Sequence, residues 1–218
     1  MAKKKETVEQ TPVAAEVSQE QKKDSTKDII VKLLLKTGRE RMEDLIAEME
    51  EIGFFTAPAS GGNHSNAEGG LAEHSLNVLN IAEKIGVALL GGEGYNAIQN
   101  SVIIASLLHD LGKCGDFGKQ LYVPNILKSG KQSDAKPWKR NPDLTNIPHG
   151  IRSVILAERW VDLTEDEEYA ICYHDGLYEP SNVAVIKSHE TQLFMILHWA
   201  DMWCSRVVEG VSEESEGE

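Results

Sequence analysis

The chain is poor in cysteine and in basic charge, and each shortage argues against a class of protein. Its three cysteines, Cys114, Cys172 and Cys204, are widely spaced with no CxxC pair. That speaks against a disulfide framework or a structural zinc knuckle and fits a reducing cytosol. No apolar run approaches membrane-spanning length, and the basic N-terminus lacks the apolar stretch of a signal peptide. The expectation is a soluble, unexported, cytoplasmic protein that makes no membrane contact. Lys and Arg number 22 against 35 Asp and Glu, a net charge of -13. Such a chain repels a polyanion at long range unless a local basic patch overcomes the average. P-loops, dinucleotide-binding glycine patterns and internal repeats are missing, and the period-two alternation of strands is nearly so.

What is present suits one helical domain. At 218 residues with 41% hydrophobic side chains, the chain can fill a sizeable core. Residues 1–26 are polar and rich in Lys and Glu, which predicts a disordered tail. Residues 27–210 make the domain, and an acidic, solvated tail covers 211–218. Apolar spacing predicts helices over Asp28–Leu35, Glu40–Ile52 and Leu71–Leu90, the last ended by Gly91-Gly92 with His74, Val78, Ile81, Ala82 and Ile85 on its inner stripe. Further helices begin at Pro148 and at the capping box Thr164-Glu165-Asp166-Glu167. A final one over Thr191–Val208 would carry Phe194, Leu197, Asp201, Cys204 and Val208 on one stripe. The stretch from Gly115 to Ile147 is irregular and long enough to suggest a lid or substrate loop.

The most informative stretch is Ser101–Lys113, SVIIASLLHDLGK. Val102, Ala105, Ser106 and His109 recur at helical spacing, so the imidazole leaves the buried face, with Asp110 beside it. Burying both is costly without compensation, and a bound divalent cation is a common form of it. Glu73-His74, Pro148-His149, His174-Asp175 and Ala200-Asp201 each lie in or beside an apolar helical pattern.

The order His74, His109-Asp110, His149, His174, Asp201 resembles the HD-domain metal-dependent phosphohydrolase superfamily. From Phe55 to Val208, through Ala57-Pro58-Ala59, Asn63-His64, Gly69-Gly70-Leu71-Ala72-Glu73-His74 and Leu107–Lys113, the chain is most similar to the HD domain of bacterial 3′-to-5′ exoribonucleases. The resemblance implies an all-α HD-domain bundle with a central metal site. It implies one cation held by His74, His109, Asp110 and Asp201, and a second, bridged by Asp110, at His149 and His174. Relatives with two metals commonly show adjacent histidines where this chain has His174-Asp175, so Asp175 is either a ligand or a cap. Imidazole and carboxylate ligands suit Mn, Fe, Co, Ni or Zn better than Ca.

Around that set, Lys113 and Arg152 stand one turn beyond His109 and His149, where either can meet a phosphate, and join Asp110 as the expected catalytic group. His64 and Glu73 are weaker candidates for a leaving-group acid or a substrate contact. The basic loop with Lys128, Lys139 and Arg140 can gather phosphates, and its Tyr122 and Trp138 can stack on a base or pack the loop down. The expected activity is hydrolysis of the phosphate esters of small nucleotides. The exoribonucleases place a strand-tracking OB-fold before the HD domain, whereas only a short tail precedes it here. The alternatives are a 3′-to-5′ exonuclease on single-stranded nucleic acid, and a metal-loaded module that binds a nucleotide without turnover.

Overall fold

The computed structural model describes residues 25–62 and 65–210. The tail expectations therefore lie outside the described residues, apart from Ser25 and Thr26. Those two belong to the first helix: α1 (Thr26–Lys36) starts earlier than apolar spacing indicates, because Ser25 and Asp28 form a reciprocal capping box. α2 (Met42–Glu51) follows. Next comes α3 (Gly70–Leu108), which Gly91 bends but does not end; at φ 70 and ψ 172 this residue leaves the helical region and the chain then resumes it. His109 caps its C-terminal end, and a 3₁₀ turn over Leu111–Cys114 carries the chain away.

The irregular stretch contains an antiparallel pair, β1 (Tyr122–Pro124) and β2 (Trp138–Arg140), with Tyr122 opposite Arg140 and Val123 opposite Lys139. This hairpin is an addition to an otherwise helical fold. The helices resume with α4 (His149–Ala157), α5 (Glu165–Tyr173), the single turn α6 (Val183–Ile186) and α7 (Gln192–Trp203). Thr164 and Glu167 cap α5 as their spacing predicts. Glu167 is also buried against Arg39, which donates to it at 2.7 and 3.1 Å and so ties α5 to the α1–α2 corner. α3 packs on α1 and α7, and α5 lies between α4 and α7. Ile104, Leu107 and Leu108 of α3, Ile171 of α5 and Phe194 and Leu197 of α7 fill the core between them.

Two glycines set how closely these elements meet. A Cβ on Gly112 would stand 2.2 Å from the carbonyl oxygen of His149, and one on Gly150 would stand 2.6 Å from that of Cys172. Any side chain there would push the 3₁₀ turn off α4, or α4 off α5. Ser153 completes the seam: its hydroxyl accepts from the Gly112 amide at 2.8 Å and lies 2.6 Å from the His109 carbonyl oxygen. The histidines of three separate chain segments are thereby drawn into one place.

Candidate metal centre

Three of the four imidazoles, those of His74, His109 and His174, are aimed by their own backbone or by a carboxylate. His109 and His174 donate through Nδ1 to the carbonyls of Ser106 and Ile171, both at 2.8 Å, which leaves Nε2 of each facing inward. His74 donates through Nδ1 to Glu209 Oε2 at 2.9 Å, and its Nε2 lies 3.1 Å from Asp201 Oδ1. Asp110 stands at the middle. Its Oδ2 is 3.3 Å from His109 Nε2 and 3.6 Å from His74 Nε2, while its Oδ1 is 3.3 Å from His149 Nε2 and 3.5 Å from His174 Nε2. The six residues predicted as ligands are thus brought together, with one carboxylate facing two groups of imidazoles. Asp175 joins them from the rim, 3.4 Å from His149 Nε2.

Charge is concentrated here without full compensation. Among the described residues, His109 Nε2 and Asp110 Oδ1 are buried with no hydrogen bond of good geometry, an expensive state for polar atoms inside a protein. Burial alone would raise both aspartates, yet the neighbouring cations and imidazoles outweigh it and hold Asp110 and Asp201 far below the usual carboxylate range. Burial pulls His74 down, but the hydrogen bonds to Asp201 and Glu209 and the charge of Asp110 win and lift it to about 9. His174 is likewise lifted to about 9 by Asp175 and Asp110 against its own desolvation. His149, 3.1 Å from His174 Nε2, is depressed to about 4 by burial, so this imidazole is neutral beside a charged one. Inward-facing imidazole nitrogens and ionised carboxylates this close together are a donor set that can hold a divalent metal ion. Three overlapping groups, His74 with His109 and Asp201, His109 with Asp110 and His174, and His149 with His174 and Asp175, each have ligand atoms close enough together to hold one.

The auxiliary residues divide. Lys113 reaches the centre, its Nζ 2.6 Å from Asp110 Oδ2. Tyr122 lines the same small cavity as Lys113, and burial raises its phenol above the usual tyrosine value. Arg140, opposite Tyr122 in register, shares that face; Lys139 pairs with Val123 and projects from the other, and Lys128 is exposed on the hairpin loop. Trp138 packs the loop down, donating through its ring nitrogen to the Asn66 carbonyl at 2.8 Å. Glu73 is exposed, one residue out of phase with His74, and among the described residues it has no hydrogen bond to the cluster. His64 lies outside the described residues. His198 supports the site from behind, donating to the His174 carbonyl at 2.8 Å.

Arg152 requires a correction. It is 1% exposed, donates to the Thr145 carbonyl at 2.9 Å and lies 3.6 Å from Asp116 Oδ2. Helical spacing puts it a turn beyond His149, but the close seam at Gly112 encloses its side chain within the fold. Arg152→Ala should therefore lower stability by about 2–4 kcal/mol, through the void and the broken buried pair. Thermal and urea denaturation would register this, and a variant of wild-type stability would return Arg152 to the catalytic list.

Glu209 is the residue that the sequence does not single out. Reading a regular helix through Val208 puts Val208 inside. Instead α7 passes into a π turn over Cys204–Val208, with the Glu209 amide bonded to the Cys204 carbonyl at 2.8 Å. The slower rotation of that turn leaves Val208 exposed and brings the Glu209 carboxylate inward to His74, Asn77 and Ser65. No period in the sequence signals the change.

Against known families, the model described as HD domain matches residues 71–186, more than half of the chain and all of the cluster except Asp201 and Glu209. No curated protein and no solved structure matches, so the narrower likeness to exoribonuclease HD domains finds no support there.

Proposed function

This chain belongs to the HD domain family, which places it in a superfamily of metal-dependent phosphohydrolases, and we propose that it hydrolyses the phosphate esters of small nucleotides. The observation that carries the reading is the Asp110 carboxylate, with one oxygen turned to His74 and His109 and the other to His149 and His174. In this reading His74, His109, Asp110 and Asp201 would hold one ion, and His149, His174 and Asp110 would hold a second, with Asp175 beside them. Divalent ions held by these residues would supply Lewis acidity toward a phosphoryl oxygen and lower the pKa of water there.

The remaining work falls to the chain. Lys113, kept cationic by Asp110 against its burial, is placed to meet the negative charge that grows on phosphate in the transition state. Arg140 and Tyr122 offer a second cation and an aromatic face on the same side of the hairpin. A nucleotide rather than a long strand is favoured because the net charge is -13 and, among the described residues, Lys113 is the lysine paired with the centre, with Arg140 next to Tyr122 on the hairpin.

The test is a nucleotide panel with Mn²⁺ or Co²⁺, scored for phosphate and pyrophosphate. At least one nucleotide should be cleaved, with loss of activity in chelator and a roughly 10²-fold drop for Lys113→Ala. Stepwise shortening of single-stranded RNA or DNA, with every free nucleotide intact, would replace this proposal with the nuclease reading. Tight nucleotide binding with no product would replace it with the binding-module reading.

A further inference from the structure

We propose that Glu209 is a positioning residue for the metal centre: it holds Nδ1 of His74 so that Nε2 is turned toward the ion. The inference rests on the metal-dependent reading above and concerns a residue outside the ligand set. Glu209 accepts from His74 at 2.9 Å, from Asn77 at 2.9 Å and from Ser65 at 2.8 Å. One carboxylate oxygen takes His74 and Ser65, and the other takes Asn77. Neither is left to rotate, and the imidazole plane is fixed with them.

The other two buried histidines that face the centre, His109 and His174, are turned by backbone carbonyls within their own helical turns. Of these three buried imidazoles, it is His74 that is turned by a charged side chain from a distant segment. A carboxylate on the outer nitrogen of a ligand imidazole fixes its tautomer and increases the basicity of the inner one. The π turn is what delivers that carboxylate. Without it Glu209 would follow the regular helix around to a different face, so the irregularity at the end of α7 has a local purpose. The same contacts join α3, the loop at Ser65 and the end of α7 around the first ion's ligands.

The experiment uses the full chain, stripped with chelator and titrated with Co²⁺ by calorimetry, with the visible spectrum of the bound ion recorded alongside. Glu209→Ala should bind about 10–100-fold more weakly and shift the spectrum, because His74 can then turn and loses its basic partner. Glu209→Gln should recover much of the affinity, since an amide oxygen still accepts from Nδ1, yet remain about 3–10-fold weaker than wild type for want of the charge. Asn77→Ala, which removes a contact to Glu209 but leaves the one to His74, should bind within about twofold of wild type. A purely structural Glu209 would lower the melting temperature and leave Co²⁺ affinity and spectrum unchanged in both variants; that result overturns the proposal. If Glu209→Ala does not fold, Glu209→Gln decides, with wild-type affinity overturning it. Wild-type protein that takes up no Co²⁺ would refute the metal centre itself, whereas wild-type uptake matched by both variants refutes only the role of Glu209.

Discussion

Asp110→Ala should leave the protein without bound metal after dialysis against metal-free buffer. Among the described residues, Asp110 is the side chain whose two oxygens face the two groups of imidazoles, so its loss removes a donor from each proposed ion at once. It also strands Lys113, whose 2.6 Å ion pair offsets part of its burial, as a second positive charge among the histidines. Ligand loss and added repulsion act in the same direction. A fall of at least about 10³-fold in affinity is expected, beyond the 10–100-fold that follows loss of an outer partner. Metal analysis of the variant beside wild type checks it, with circular dichroism confirming the fold. Equal metal content in the two proteins would remove Asp110 from the centre.

Metal affinity should rise steeply with pH, while the stability of the metal-free protein falls over the same range. His74 and His174 are each lifted to about 9 in the folded chain against about 6.5 when unfolded. A raised value means the folded state favours the protonated ring. That contribution is complete below about pH 6.5 and is lost as pH climbs through 9. Thermal denaturation in chelator should accordingly show the melting temperature dropping by several degrees between these limits. His149, depressed to about 4, stabilises in the opposite sense, but its contribution fades only as pH falls below 6.5 and so lies outside the window. Metal must displace the same protons. Affinity at each site should therefore increase up to about tenfold per pH unit until near pH 9, with protons released on binding. Calorimetry in two buffers of different ionisation enthalpy would count them. Affinity that is flat with pH, or no proton release, would mean that His74 and His174 are not ligands.

Whether a feature of this fold is legible in the sequence depends on whether it is local and periodic. The burial of His74 and His109 follows from helical spacing, because apolar neighbours a turn away reveal which face a side chain leaves by. The Thr164 to Glu167 capping box is readable for the same reason, since capping is a chemistry of near neighbours. The bend at Gly91 is half visible: a glycine pair marks a break in helical conformation, but whether the chain stops or resumes depends on what it packs against. Arg152 shows the limit more sharply. Spacing places a residue on a helix face and says nothing of what covers that face, and here the seam permitted by Gly112 and Gly150 encloses it. Lys139 and Arg140 look alike as neighbouring basic residues, and only strand pairing with β1 sends them to opposite faces. Glu209 is beyond reach, because a single π turn changes the phase of everything after it without altering composition or period.

That the cluster around Asp110 is a metal centre is tested most directly by anomalous scattering from a crystal of the protein equilibrated with Mn²⁺. A peak is expected within about 2.0–2.3 Å of Asp110 Oδ2 and the Nε2 atoms of His74 and His109, and a second between Asp110 Oδ1 and His149 and His174. One peak at the first position would reduce the centre to a single ion. No peak within coordination distance of Asp110, in crystals that carry Mn²⁺ elsewhere or none at all, would contradict it.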